Sequence, residues 1–279
     1  MSYYNFKKTL IILVWSLLFI FLNIWFTLVF VFSTIIIMCY HISLTKKDET
    51  IRKRFEIPQS DLNVYIPFYH RNGFEQEPIY IIKDVEPFKL TPAYWGMLPE
   101  SYHLSQRRAF LKKSNTLNAR AEGLLESPMF QKPIKHSRCL ILADGFFEPH
   151  GFNGRNYPHY ITYKDNGIMG IAGIYTELEE HVFTVSLITT LANDYFKKIH
   201  NKKNNLGEYR MPLILDERDE FDWLDTHSQI QQVNDLLSSF TNKEFQSYTV
   251  SKDVMNSHVK SDYSDILNKV DYPELQTLF

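Results

Sequence analysis

Met38 and Cys39 open the stretch of this chain with the most distinctive reactivity. A cysteine inside a chain is usually a small buried hydrophobe. A cysteine that stands first is a different reagent. Its α-amine, with a pKa of about 8, and its thiol, at about 8.5, lie on one residue and can both condense with one aldehyde carbon. Cys39 reaches that state if translation starts at Met38 and the methionine is then removed, which the small residue after it favours.

Other residues have suitable types and positions. Glu148 ends Asp144-Gly145-Phe146-Phe147-Glu148, just after the apolar run 138–143. It is expected to emerge at a sheet end, where a general acid or base can be held; the plainer reading is a surface carboxylate. Asn118 heads Asn118-Ala119-Arg120-Ala121-Glu122, after the basic stretch that holds Arg107, Arg108, Lys112 and Lys113. Taken alone, that segment reads as an N-capped helix. His200 closes Phe196-Lys197-Lys198-Ile199-His200, ahead of Arg210-Met211-Pro212, and alone it reads as a solvated histidine. Cys139, inside an apolar run, reads as core. No His/Cys pair has zinc-site spacing, and neither a G-x-S-x-G nor a P-loop is present, so no metal or organic cofactor is implied.

The elements that must position these residues alternate irregularly. Short β-rich runs are expected at 78–83, 138–143, 159–163, 167–175, 181–190 and 212–215, and helices at 45–55, 118–125, 192–199, 216–223 and 228–240. The expectation is an α+β fold with an antiparallel-rich β core and peripheral helices. The absence of regular βαβ units and of a G-x-G-x-x-G argues against a nucleotide-binding Rossmann domain. With 44% apolar and 22% charged residues in 279, the chain is neither collagen-like nor largely disordered. Its net charge of -2 provides no overall positive field for nucleic acid, so any such binding must rely on local clusters.

Residues 10–37 are apolar and uncharged, with Lys7 and Lys8 just before them, and are long enough to span a bilayer, which takes about 20 residues. Three readings compete: a signal anchor, a lipoprotein signal cleaved before Cys39, and upstream DNA read in frame ahead of a true start at Met38. Met38 is too large for the lipoprotein processing site. The chemistry of Cys39 favours the third reading, which divides the chain into a leader, 1–37, and one domain, 38–279. Removing the leader takes Lys+Arg from 30 to 28 against 32 Asp+Glu, a balance of -4.

Taken together, Met38-Cys39, Asn118-Ala119-Arg120-Ala121-Glu122, the run from Arg138 to Glu148, Thr189-Thr190-Leu191-Ala192-Asn193, Ile199-His200 and Arg210-Met211-Pro212 resemble, in that order, the SOS response-associated peptidase family, the abasic-site processing proteins. Tyr248-Thr249-Val250-Ser251, with Val254 and Asn256, resembles the C-terminal strand of that family. The resemblance implies a protein of the DNA damage response that traps an abasic site in single-stranded DNA through an N-terminal cysteine. Cys39 would form an imine and then a thiazolidine with the ring-opened sugar. Glu148 would shuttle protons, His200 would help open the sugar ring, and Asn118 would hold the cysteine and the sugar. Arg120 and Arg210 match positions that grip phosphates.

The sequence departs from the family pattern in four places. The link from His200 to Arg210 is lengthened, Pro149 replaces an aromatic residue, His41 replaces an arginine near the start, and Tyr102 is the candidate for a missing DNA-stacking tryptophan. His41 and Tyr102 are therefore the remaining candidate DNA contacts. The basic clusters 52–54, 107–113 and 197–203 are expected to face one groove, with affinity that falls as salt rises. A second activity implied by the family is peptidase action releasing Met38 or the leader, with Cys39 as nucleophile. The competing reading, from another class, is a membrane-anchored, non-catalytic module that binds nucleic acid or protein. The implied location is cytoplasmic and nucleoid-associated, with membrane contact only if residues 10–37 are retained.

Overall fold

The computed structural model describes residues 40–58 and 65–275, which belong to one compact unit. The leader, 1–37, and Cys39 lie outside the described residues. No helix among the described residues is long and apolar enough to cross a membrane.

Among the described residues, twelve strands and six short α-helices make up the fold. The strands are β1 (His41–Leu44), β2 (Phe68–Asn72), β3 (Ile79–Lys83), β4 (Glu86–Trp95), β5 (Asn118–Arg120), β6 (Arg138–Ala143), β7 (Gly145–Phe152), β8 (Arg155–Tyr163), β9 (Met169–Glu179), β10 (Val182–Leu191), β11 (Arg210–Pro212) and β12 (Phe245–Thr249). The helices are α1 (Asp48–Phe55), α2 (Arg107–Leu111), α3 (Pro133–His136), α4 (Asp194–Ile199), α5 (Glu217–Leu224) and α6 (Ile230–Leu237). The fold is α+β and antiparallel-rich, as the sequence implies.

One sheet runs β12-β8-β7-β1-β2, antiparallel throughout. In the other, pairings pass β10-β4-β3-β6-β9 and return from β9 to β10, so the ladder closes on itself. Closure removes the unpaired edges that an open sheet presents. Successive strand residues point to opposite faces. On β7 this sends Phe146 into the main core with Ile42 and Ile161, and Phe147 into a second cluster with Tyr160, Val250, Val254 and Ile266.

The expected helix over 118–125 is instead β5 followed by a 3-10 turn, Ala121–Gly123. Asn118, Ala119 and Arg120 pair in parallel with Leu187, Ile188 and Thr189, and this pairing outweighs the local helical preference of an Ala-rich segment. β10 is thereby flanked at its C-terminal end by β5 on one side and by β11 on the other, where Leu191 pairs Arg210.

Candidate active site

Glu148 lies on the same face of β7 as Phe146. Its position is fixed from both sides: Glu148 pairs His159 of β8, and Ile42 and Ser43 of β1 pair Phe146 and Gly145. Asp144 secures β1 further. One of its oxygens accepts from the Ser43 hydroxyl at 2.7 Å, and the other from the Thr45 amide at 2.7 Å and the Thr45 hydroxyl at 2.6 Å. The chain just after Cys39 is thus tied to the strand that carries Glu148.

His200 reaches Glu148 from α4. The Asn193 side chain caps this helix by accepting from the Phe196 amide at 3.1 Å, and Phe196 stacks on Phe146 at 5.9 Å. The helix ends at His200, whose Nδ1 lies 2.9 Å from Glu148 Oε2, with side-chain exposures of 3% and 2%. The two groups are at ion-pair distance but are not aligned as a hydrogen bond, and neither finds a hydrogen-bond partner among the described residues. Burying a carboxylate and an imidazole with unmet hydrogen-bonding capacity is costly, and such groups concentrate where a reaction uses them.

Two further histidines adjoin this pair, and sequence reasoning did not single them out. His150, two residues after Glu148 on the same face, donates from Nδ1 to the Ile199 carbonyl at 3.0 Å and so ties β7 to the end of α4. His159 is buried with neither ring nitrogen hydrogen-bonded among the described residues, and its ring lies 5.6 Å from that of His150. Burial, with a smaller effect from His150, pushes its pKa down to about 4. The signal for His150 was its i, i+2 spacing from Glu148; nothing local marked His159. Among the described residues, no three acids, histidines or cysteines converge as a metal site.

Asn118 is buried on β5, while Arg120 and Arg210 lie at the end of β10. Arg210, with a side chain only 2% exposed, binds Glu122 through both terminal nitrogens, at 2.7 and 2.8 Å, and donates to the Thr189 carbonyl at 2.6 Å. Arg120 donates to Glu208 at 3.0 Å, and Glu208 lies 3.7 Å from Arg210. Burial alone would raise the Glu122 pKa, but hydrogen bonds and charge, chiefly from Arg210, bring it below the usual value. The two arginines are thus brought together with their charge already matched by two carboxylates. Glu208 belongs to the segment that lengthens the link to Arg210, and Asn204 holds it there by accepting from the Glu208 amide and donating to its side chain.

His41 and Tyr102 lie elsewhere. His41 is on the face of the sheet opposite Glu148, stacked on His70, with its Nδ1 2.8 Å from His70 Nε2; His70 Nδ1 lies 2.6 Å from the Ser261 hydroxyl. Although an edge of His41 remains accessible, burial and then His70 push its pKa down to about 3, so it is neutral at physiological pH and lacks the charge of the arginine it replaces. Tyr102 is half-buried, edge-on to Phe110 at 5.1 Å. Two residues of the basic clusters are committed inside the protein. Arg54 pairs with the buried Glu220 at 2.6 Å, and Arg107 is buried, donating to the carbonyls of Gly73, Glu75 and Trp95.

Residues 38–257 match the SOS response associated peptidase (SRAP) family. Over 221 residues the chain is 28% identical to abasic site processing protein YoaM of Bacillus subtilis, covering 77% of this chain and 91% of that protein. Abasic site processing protein YMR114C of Saccharomyces cerevisiae is 30% identical over 168 residues, covering 57% of this chain and 42% of that one. A crystal structure of a protein from Bacteroides thetaiotaomicron is similar with a TM-score of 0.71 and 26% identity, covering 83% of this chain and all of that one.

Proposed function

The chain belongs to the SOS response associated peptidase (SRAP) family, and from that we propose that it processes abasic sites in DNA by capturing them covalently through Cys39 once Met38 has been removed. The observation that carries this reading is the buried Glu148–His200 pair, neither member hydrogen-bonded among the described residues, with Glu148 on the strand that pairs with β1.

The neutral Cys39 amine attacks the C1′ aldehyde of the ring-opened deoxyribose. Glu148 takes the proton lost by nitrogen and returns one to the departing hydroxyl, so the carbinolamine loses water to give an imine. His200, beside Glu148, donates or accepts at the sugar oxygen as the ring opens. The Cys39 thiol then adds across the C=N bond, its proton passing to nitrogen, and closes a five-membered thiazolidine. The balance is aldehyde plus aminothiol giving thiazolidine plus one water. Because amine and thiol share a residue, the second bond forms without further loss of translational freedom. Single-stranded DNA is the proposed substrate, since the sugar must reach a buried pair. Asn118 is assigned to holding the cysteine and sugar, and Arg120, with Arg210 behind it, to a flanking phosphate. The same residues would hydrolyse the Met38–Cys39 bond in a self-processing step, with Cys39 as nucleophile.

Intact mass of the protein made from its own gene region, before and after incubation with single-stranded DNA carrying one abasic site, tests this. The expected product begins at Cys39 and gains the mass of the DNA minus one water, and Cys39→Ala gains nothing. An adduct that persists in Cys39→Ala, or no adduct at all, would exclude covalent capture by this residue.

A further inference from the structure

Phe74 is 56% exposed, next to the segment where the chain enters the fold. Its ring packs edge-on against that of Tyr40 at 5.3 Å, and the Gly73 amide donates to the Tyr40 carbonyl at 2.8 Å. Tyr40 directly follows Cys39 in sequence, and its hydroxyl accepts from Asn115 at 2.6 Å. Beside Phe74 opens a cavity of about 440 Å³, walled in part by Leu111, Arg108 and Lys112. It adjoins a second cavity of about 250 Å³, which shares Gln76 and Arg108 with it and is lined also by Tyr94.

Arg108 and Lys112 enter no ion pair among the described residues, unlike Arg54, Arg120 and Arg210, and Arg107 is spent on backbone carbonyls. The one carboxylate on the larger cavity, Glu75, is turned toward the Asn72 amide, which donates to it at 3.3 Å, and burial raises its pKa. An exposed aromatic ring steadied by a second ring, beside two uncommitted cations, is the combination that holds unpaired nucleotides: a flat face for a base and charge for its phosphates. Tyr102, half-buried and edge-on to Phe110, lines neither cavity.

We propose that Phe74 is the platform on which the base next to the abasic nucleotide stacks, with Arg108 and Lys112 taking the adjoining phosphates. The assignment rests on the capture of single-stranded abasic DNA set out above and adds the residue that selects an unpaired flanking base.

The full chain is titrated with a single-stranded oligomer carrying an unreactive tetrahydrofuran abasic analogue, and with a fully paired duplex. Phe74→Ala is expected to weaken binding to the single strand by about fivefold or more, the low end of base–aromatic stacking, and to leave duplex binding unchanged. Phe74→Trp is expected to restore affinity, with emission from the new indole quenched on saturation. Arg108→Ala is expected to make the salt dependence of log Kd shallower by about 0.7. Single-strand affinity within twofold of wild type for Phe74→Ala, equal losses on single strand and duplex, or unquenched emission from Phe74→Trp would each overturn the platform. Failure of the capture reading itself is distinguishable, because there the wild-type chain gains no DNA mass.

Discussion

At Glu148 and His200 the sequence supplies residue types, and the fold supplies their meeting. Nothing in the spacing from 148 to 200 places an imidazole 2.9 Å from a carboxylate; the contact depends on α4 ending where β7 emerges. Glu148→Gln keeps the shape and the burial but cannot carry the proton, so the rate of adduct formation is expected to fall by about 100-fold or more, with much smaller change in affinity for the unreactive analogue. Quenched-flow gels and equilibrium titration separate the two quantities. His159 gives a prediction about stability. Its folded pKa, about 4, is below the unfolded value of about 6.5, so between those limits the unfolded chain binds the proton and the folded chain does not. Stability contributed by neutral His159 is therefore intact above about pH 6.5 and is lost as pH falls toward 4. Glu220 works in the opposite direction: burial, against the opposing pull of Arg54, raises it to about 7, so its contribution falls as pH rises from the unfolded carboxylate range. The clean comparison is wild type against His159→Phe. Their stability difference in urea titrations is expected to shift in favour of the variant by about 1 kcal/mol or more between pH 7 and pH 4.5.

Among the elements, strands with plain apolar runs were legible: 138–143 appears as β6 with the expected bounds, and 159–163 lies within β8. The strands that carry or frame the site were harder to read. β7 contains Gly145, Pro149 and Gly151, residues depleted from strands, and β5 has only three residues, held by their pairing with β10. Gly145 shows why the composition of β7 is unusual. A Cβ there would come within 2.3 Å of the Tyr160 ring, whose hydroxyl bonds Ser43 at 2.8 Å. Gly145→Ala is expected to lower the thermal midpoint by about 3 to 10 °C, by calorimetry or by following aromatic circular dichroism, because the Tyr160 ring must move off residue 145 and away from Ser43 to accommodate it. The segment after His200 was legible only as an added length; that it brings a carboxylate to Arg120 was not. Glu208→Gln keeps the bonds to Asn204 but removes the charge that a phosphate must displace. Affinity for single-stranded DNA is expected to rise by about threefold to fivefold at low salt, and the gain to shrink at high salt, in fluorescence anisotropy titrations.

Across the whole molecule, a net charge of -2 leaves recognition to a few cations, and Arg54 and Arg107, each from a basic cluster of the sequence, prove to be committed inside the protein. With Arg108, Lys112 and Arg120 as the phosphate contacts, log K is expected to fall with log salt with a slope of about -2; a slope near zero in anisotropy titrations would contradict phosphate contact altogether. The strand β1 has a consequence of another kind. It is a short segment with a neighbour on each side, β2 and β7, and Asp144 bonds its far end through Ser43 and Thr45. Under the proposed capture, a DNA strand joined to Cys39 would make this the anchorage of a tether. A translocating motor that pulls on the DNA draws β1 along its own length, across ladders whose hydrogen bonds run perpendicular to the pull. Under that capture those bonds would be loaded together in shear rather than opened one at a time, which would make the point of attachment a mechanically strong seam.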